Sequence, residues 1–207
     1  MTAIKGPSLG DLRTTLARQV ETLVGRLGGW SPDDWEQPSA NPGWSNADTV
    51  RHLSENLTVY AVGVEQGEQD ERPAFDQALL PPPTTPLVLP RRLEEAGDRL
   101  VEALGKTEPT DLVWHPDHRF SARTMAAVAL CEVVLHRWDL TGPGDRGPEP
   151  RAARLVLQGL FSSHDDSSAS PTALLLHVAG RSRMEGRPGW SGADWHWDIP
   201  DEAPVGQ

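Results

Sequence analysis

The amino-acid sequence predicts an all-α protein built as a helical bundle. In several separate segments apolar residues recur every three or four positions, which is the periodicity of a helix that buries one face. Three of these segments begin after a serine that can cap a helix, and most of them end at glycine or proline. Serine starts helices well, and glycine and proline stop them. These signals together define the order of helices along the chain.

The first two elements are a helix and a loop. Residues 9–27 carry apolar side chains at helical spacing, Ser8 can cap their start, and Gly28 with the following glycine supplies the stop. Residues 30–44 are predicted to form a loop, because proline-containing turn sequences interrupt them. The tryptophans of this loop can pack it against the body of the protein.

The second predicted helix begins with a clear signal. Ser45 and Asp48 form a capping-box pattern, and an apolar stripe then runs to Gly67, with His52 at its flank. Residues 65–90 become acidic and then proline-rich, so a helix cannot continue through them. We interpret this stretch as a long crossover between helices, with a lid or binding loop as the alternative.

Three further bundle helices are expected. The third covers residues 91–104, with its leucines inward and a glycine at its end. The fourth covers residues 122–140, is capped by Ser121 and is stopped by a Gly-Pro sequence. Its middle is apolar almost all round, which is typical of a buried helix. The fifth, at residues 151–161, closes the bundle.

The sequence divides into a bundle and an appendage. The bundle occupies residues 1–162, and residues 163–207 are interpreted as a mobile linker, a short helix and a C-terminal tail. The linker is rich in serine and aspartate, and the short helix is expected at residues 171–179 because they are apolar and followed by glycine. The tail is predicted to be irregular, with residues 195–199 able to form a short strand.

The composition excludes two kinds of partner. The 207-residue chain carries a formal net charge of −11, whereas nucleic-acid binding requires clustered basic residues. No apolar run approaches the roughly 20 residues that a membrane span requires. Cys131 is the single cysteine, so no internal disulfide can form, which agrees with a reducing compartment. We therefore expect a cytoplasmic protein that binds neither nucleic acid nor a membrane.

The residues that can carry chemistry lie on the second and fourth predicted helices. Glu132 and His136 are four positions apart, so they lie on one helix face, and that face points into the core. A carboxylate there is costly unless it is paired, hydrogen-bonded or bound to metal. His52 could face this pair across the bundle. Two imidazoles and a carboxylate suit a catalytic zinc with an open position or a non-haem iron(II) site.

The spacing has an equally good structural explanation. A buried Glu132 could simply hydrogen-bond to His136 or to an arginine, and the spacing alone does not distinguish this alternative from a metal site. Nothing in the residues themselves requires His52 to be the third member.

Five nearby residues are secondary candidates for the site. Asp139 lies one turn beyond the second histidine and could orient it, although a structural role at the helix end is favoured. Trp44 and Trp138 flank the two segments and could wall the site or only contribute packing. Arg51 and Arg137 could receive an anionic substrate or thiol carboxylate, with ordinary surface salt bridges as the favoured alternative.

The other histidines and the cysteine are expected to have no role in the site. His115 and His118 lie in a polar loop before the fourth helix, where solvent exposure is favoured over an approach to the metal. Cys131 adjoins Glu132 in sequence but points about 100° away around the helix, so it is interpreted as a small buried residue.

Two segments resemble the paired signatures of the DinB-like superfamily. They are residues 43–53, GWSNADTVRHL, and residues 132–140, EVVLHRWDL. Within the superfamily they are most similar to the mycothiol-dependent maleylpyruvate isomerase N-terminal-domain family, in the form of a single-domain member. The resemblance covers about residues 8–180, although only these two motifs are sharp.

This resemblance implies both a fold and a metal site. The fold is an up-down-down-up four-helix bundle, here with a short C-terminal helix and an irregular tail. In the family a divalent metal, often zinc, is bound by the histidine that ends the first motif and by the glutamate and histidine of the second. Those positions match His52, Glu132 and His136. Zn²⁺ is the expected ion, with Ni²⁺ or Fe²⁺ as alternatives.

The resemblance also implies a function. A metal-dependent enzyme would hold a low-molecular-weight thiol such as mycothiol as a metal-bound thiolate beside an electrophilic substrate, in S-transferase or isomerase chemistry. The alternatives are a hydrolase that activates water on the metal and a non-enzymatic metal-binding stress protein. Only 65 residues follow Gly142, whereas the isomerase has a C-terminal domain that contributes to its substrate site. The identity of the electrophile and the formation of a homodimer are left open.

Overall fold

The structure, a computed structural model, describes residues 6–67, 69, 71–79, 81, 85–142, 147–164 and 167–184. Within these residues the chain forms eight α-helices and a two-stranded sheet, which confirms the predicted all-α class. No described helix combines the length and the apolar character needed to cross a membrane. The strand expected at residues 195–199 lies outside the described residues.

The elements follow one another in a simple order. They are α1 (Leu9–Leu27), α2 (Pro32–Glu36), α3 (Asn46–Gln66), α4 (Phe75–Ala78), α5 (Leu89–Leu104), β1 (Leu112–Trp114), β2 (Arg119–Ser121), α6 (Ala122–Thr141), α7 (Pro150–Leu160) and α8 (Pro171–Val178). Short 3₁₀ turns lie at Pro86–Val88 and Ser162–His164. The six helices expected from apolar periodicity are all present.

Four long helices form the bundle. Both α1 and α3 pack against α5 and α6, so each helix of one pair contacts both helices of the other. Local signals set their ends as predicted. The hydroxyl of Ser45 accepts a hydrogen bond from the Asp48 N–H, and the Asp48 carboxylate accepts one from the Ser45 N–H, which confirms the capping box. Gly67 and Gly142 end α3 and α6 with positive φ angles of 60° and 66°.

Helix α6 is buried on nearly all sides, because α1, α3 and α7 all pack against it. Its residues on either side of Glu132 are excluded from solvent, with exposures of 1% for Cys131, 0% for Val133 and 2% for Val134. This burial agrees with the prediction that the apolar middle of the segment marks an internal helix. Any polar side chain in the middle of α6 is therefore held inside the protein.

The C-terminal helices extend the same core. Helix α7 packs on α6, and α8 packs on α7. The inner side chains of α8 belong to the main hydrophobic core; they are Leu174, Leu175, Leu176 and Val178. The short helix assigned to the appendage thus shares its core with the bundle, and the proposed boundary at residue 162 stays a prediction.

Three small elements were not predicted: the helices α2 and α4 and the β1–β2 hairpin. Helix α4 has four residues and lies within the stretch 65–90 that was interpreted as a crossover. Helix α2 has only five residues, too few to show helical periodicity, although Ser31 and Asp34 form a capping box there. The strands of the β1–β2 hairpin have three residues each and pair Val113 with Phe120 at their centre. Three residues cannot show the alternation that identifies a strand from sequence.

The hairpin lies directly against α3 at Gly63. A Cβ atom at this position would lie 1.8 Å from the carbonyl oxygen of Trp114, so no side chain fits there. The absence of a side chain lets the strand approach the helix backbone, and it brings His115 onto the ring of Tyr60, with ring centroids 5.4 Å apart. This one glycine fixes how the hairpin is seated.

We expect Gly63→Ala to destabilise the protein by about 3 kcal/mol, the upper end of the usual cost of overpacking, because the added methyl group meets backbone that cannot move aside. The measurement is the free energy of unfolding in urea. Gly25→Ala is the matched control, since α1 leaves open space around that position. It should be neutral or stabilising by about 0.5–1 kcal/mol. Equal effects of the two substitutions would contradict the close approach at Gly63.

Candidate metal centre

Three side chains meet at the interface of α3 and α6. His52 lies on α3, and Glu132 and His136 lie one turn apart on α6. One candidate ligand atom from each lies within 4.8 Å of the others. The Oε2 atom of Glu132 is 3.2 Å from His136 Nε2 and 4.0 Å from His52 Nε2. The structure therefore brings together the three residues that the sequence singled out.

The three side chains differ in their access to solvent. The exposed fraction is 37% for His52, 17% for Glu132 and 8% for His136. The cluster is thus closed at its α6 side and open at its α3 side.

The charges in the cluster are strongly coupled. Burial would raise the pKa of Glu132, but the hydrogen bond with His136 and the nearby imidazoles outweigh it, so the pKa is lowered. Burial would lower the pKa of His136, but hydrogen bonds to Asp139 and Glu132 raise it to about 9. Burial and the charge of His136 lower the pKa of His52. The carboxylates of Asp139 and Glu132 therefore both favour the protonated form of the His136 imidazole.

Asp139 lies beside the cluster and is bonded to two other side chains. Its side chain is only 2% exposed, and its Oδ2 atom accepts a hydrogen bond from His136 Nδ1 at 3.0 Å. Arg181 donates to the same carboxylate from beyond the end of α8. Hydrogen bonds from His136 and Arg181 overcome the effect of burial and lower the pKa of Asp139. The side chain of Asp139 is therefore bonded to His136 and to Arg181 at the same time, and the choice between an orienting role and a structural role stays a prediction.

Trp44 forms one wall of the cluster. Its ring lies edge-on to His52, with centroids 4.8 Å apart, and is stacked near His136 at 6.4 Å. The loop before α3 holds the ring in place, because Ala40 donates its N–H to the Asp139 carbonyl at 2.8 Å and Trp44 donates its own to the Asn41 carbonyl. Of the two tryptophans proposed for the site, this one contacts it.

Asn56 also belongs to the site and was missed by the sequence interpretation. It lies one turn after His52 on α3, and its Nδ2 atom is 3.0 Å from His52 Nε2. The same amide donates to Glu132 Oε2 at 3.2 Å. The available signal was its position four residues after a candidate ligand, on the same helix face. Asparagine is common on helices, so that position alone did not distinguish it.

The other secondary candidates have contacts elsewhere. Arg51 forms an ion pair with Asp48 at 2.8 Å, as the surface alternative predicted. Arg137 instead donates a hydrogen bond to Gln19 on α1. Trp138 lies in the groove beside Gln19 and packs against the hydrophobic core. These contacts account for the positions of the three side chains, and none of the contacts involves the cluster.

The prediction that His115 is exposed was wrong. Its residue surface is only 7% exposed, and its ring packs against Tyr60 and Phe120. The prediction failed because the segment is a hairpin pressed onto α3 and not a polar loop. Burial lowers the pKa of His115 to about 4. His118 is partly buried beside it.

Cys131 is buried, as predicted. Burial raises the pKa of its thiol well above the ordinary value, so this cysteine is not a ready nucleophile.

Fold and cluster define the class of the protein: an all-α bundle that brings two histidines and a glutamate to one point on two facing helices. The model of the family described as "Mycothiol maleylpyruvate isomerase N-terminal domain" matches residues 16–141, more than half of the chain. The chain belongs to this family. The matched region contains the whole cluster together with Asn56 and Asp139.

Two solved structures are similar to the chain. One is the crystal structure of the mycothiol-dependent maleylpyruvate isomerase, with 18% sequence identity and a TM-score of 0.62. The other is a histidine-to-alanine mutant of that enzyme, with 17% identity and the same TM-score. Each match covers 89% of this chain and 100% of the solved chain. At this identity the likeness establishes the fold, and it confirms the predicted DinB-like architecture. No curated relative matches the sequence.

We expect His115 to make the protein sensitive to acid. Its folded pKa of about 4 lies below the ordinary 6.5, so its contribution to stability is complete above pH 6.5 and is lost as the pH falls through 4. The free energy of unfolding should fall over this range by up to about 3 kcal/mol more in the wild type than in His115→Asn. Urea titrations at several pH values measure this difference. Parallel curves for the two proteins would contradict it.

Proposed function

We propose that the chain is a metal-dependent enzyme that uses a low-molecular-weight thiol of the mycothiol class in isomerase or S-transferase chemistry. The observation that carries the proposal is the convergence of His52, Glu132 and His136 within 4.8 Å in a member of the mycothiol maleylpyruvate isomerase N-terminal-domain family. A thiol cosubstrate and a small electrophilic substrate are the partners this proposal requires.

The donor set fits a divalent metal. Two imidazoles and one carboxylate are the ligands of catalytic zinc sites that keep an open position. The hydrogen bond from His136 Nδ1 to Asp139 leaves Nε2, the atom nearest Glu132, as the ligand atom. This arrangement of carboxylate, imidazole and metal is the usual way in which a protein fixes a histidine ligand. We propose Zn²⁺ as the ion, with Ni²⁺ or Fe²⁺ as alternatives.

Each protein residue around the cluster has a definable task. The metal, when bound, would supply the positive charge that lowers the pKa of a thiol so that it reacts as a thiolate. Trp44 shields the two histidines with its ring. Asn56 places an amide donor beside the open side of the cluster, where an anion would be received.

The reaction class follows from what a thiolate can do. An isomerase needs it to add to one carbon of an electron-poor double bond and to leave again after rotation about the resulting single bond. A transferase needs the same thiolate to form a lasting carbon–sulfur bond. Both reactions use the same metal and the same thiol site, so the substrate decides between them. The open side at His52, which is 37% exposed, gives the substrate its access.

Two other functions would use the same cluster. A hydrolase would activate water on the metal, and a stress-associated metal-binding protein would hold the ion without turnover. Neither requires a thiol, so thiol binding separates both of them from the proposed enzyme.

We expect the purified protein to bind one equivalent of Zn²⁺ and each of His52→Ala, Glu132→Gln and His136→Ala to bind it far more weakly. The loss should exceed the roughly ten- to hundredfold cost of removing an outer partner of a metal ligand. Metal content by elemental analysis and affinity by competition with a chromogenic chelator measure it.

His118→Ala is the control for these variants, because this histidine lies on the hairpin and not in the cluster. It should retain the affinity of the wild type. Undiminished Zn²⁺ binding by all three cluster variants would eliminate the proposed site.

The second expectation concerns the thiol. With Co²⁺ in place of Zn²⁺, mycothiol should produce a thiolate-to-cobalt charge-transfer band, and maleylpyruvate should isomerise in a mycothiol-dependent reaction. An otherwise similar thioether, which has no acidic S–H, is the control and should give neither signal. Metal binding without any response to the thiol would favour the hydrolase or the stress protein. A charge-transfer band without isomerisation would favour an S-transferase acting on another electrophile.

A further inference from the structure

We propose that Arg181 is a positioning residue of the metal site, which acts by holding the carboxylate of Asp139 in the orientation that fixes His136. The inference rests on the proposed function, because it concerns the same metal. Arg181 lies beyond the region that the family model matches, residues 16–141, and none of the site candidates drawn from the sequence included it.

The contacts of Arg181 form a fork on Asp139. Its terminal nitrogen Nη2 donates to Oδ2 at 3.0 Å, and its Nε donates to Oδ1 at 3.3 Å. The third nitrogen, Nη1, donates to the carbonyl of Ala179 at 3.1 Å. The guanidinium is therefore held from two sides, and both carboxylate oxygens are engaged. Such a two-point contact fixes the plane of a carboxylate as well as its position.

Asp139 passes this orientation on to His136. The Oδ2 atom of Asp139 accepts hydrogen bonds from Nη2 of Arg181 and from Nδ1 of His136, each at 3.0 Å. The Nε2 atom of the same ring faces Glu132 at 3.2 Å. Arginine, aspartate and histidine thus form one hydrogen-bonded series that ends at a proposed metal ligand. Rotation of the carboxylate would turn the imidazole with it.

The sequence explains why an arginine reaches this point. Helix α8 ends at Val178, and Gly180, two residues further on, has a φ of +69°. The N–H of Arg181 bonds back to the Leu176 carbonyl at 2.8 Å. This is a Schellman-type helix end, in which glycine reverses the chain direction. The reversal directs Arg181 across to the end of α6. The segment that follows α8 therefore supplies a hydrogen-bond donor to Asp139, which in turn contacts His136.

The burial of the pair makes the contact consequential. The side chain of Asp139 is 2% exposed and that of Arg181 is 24% exposed, so water cannot easily replace the guanidinium. A buried carboxylate that loses a charged partner leaves its acceptor sites unsatisfied. Without Arg181, the His136 imidazole would be the remaining charged partner of Asp139. The Asp139 carboxylate could then rotate, and the orientation of the His136 ring would no longer be fixed.

The test compares metal binding by the purified full-length protein and four variants: Arg181→Ala, Arg181→Lys, Asp139→Asn and the double variant Arg181→Ala/Asp139→Asn. The matched control is Arg183→Ala, since Arg183 is an exposed arginine two residues further along the chain. Zn²⁺ affinity is measured by chelator competition, and the absorption spectrum of bound Co²⁺ reports the ligand geometry. Urea unfolding of the metal-free proteins shows which variants remain folded.

We expect Arg181→Ala and Asp139→Asn each to weaken Zn²⁺ binding by about ten- to hundredfold, as the removal of outer partners of metal ligands does. The double variant should bind Zn²⁺ about as tightly as whichever single variant binds it less tightly, because both residues act through His136. The Co²⁺ spectrum should change in the same variants. Arg181→Lys should recover only part of the affinity, since lysine keeps the charge but lacks the planar fork.

A merely structural role would give a different pattern. If Arg181→Ala lowers the free energy of unfolding but leaves Zn²⁺ affinity and the Co²⁺ spectrum as in the wild type, the inference is overturned while the metal site stands. The same conclusion follows if Arg183→Ala weakens metal binding equally. Should Arg181→Ala not fold, the folded Arg181→Lys variant decides: wild-type affinity and spectrum overturn the inference. A wild type that binds no Zn²⁺ overturns the proposed function itself, and the inference with it.

Discussion

The structure depends on one carboxylate inside a helix that is buried on nearly every side. Glu132 lies in the middle of α6 among residues such as Cys131 and Val133 that have almost no solvent contact. An ionised group in such a place is stable only with compensating charge and hydrogen bonds close by. Here His136, His52 and the amide of Asn56 supply them from two facing helices. The same compensation assembles the donor set that a metal would use.

Support for this cluster comes from successively more distant parts of the chain. Asp139 holds His136 from within α6, Trp44 covers the rings from the loop before α3, and Arg181 holds Asp139 from the end of α8. The carbonyl of Asp139 also anchors that loop through Ala40. Asp139 therefore connects α6, the loop before α3 and the segment after α8, which are far apart in sequence. Geometry at the cluster is a property of the whole fold and not of the two signature segments alone.

The sequence predicted those features that apolar periodicity or helix-capping residues indicate. The long helices followed from apolar periodicity, with ends at serine caps and at glycines such as Gly67 and Gly142, and the three members of the cluster followed from spacing together with family resemblance. What it did not reveal depends on contacts between distant segments. The burial of His115 depends on a hairpin with three-residue strands seated at Gly63, and Arg181 reaches Asp139 across 42 positions. No local pattern encodes either contact.

The uneven exposure of the three cluster residues has a consequence for the cosubstrate of the proposed enzyme, whose shape it would limit at one end only. In the proposed enzyme the sulfur atom would bind to the metal held by His136, Glu132 and His52, and the α6 side of this cluster has an exposed fraction of only 8%. The remainder of the same molecule would extend past His52, where 37% of the side chain faces solvent. In the proposed enzyme, the buried side of the cluster would therefore constrain the reacting atom, whereas the size of the molecule that carries it would be constrained at the surface.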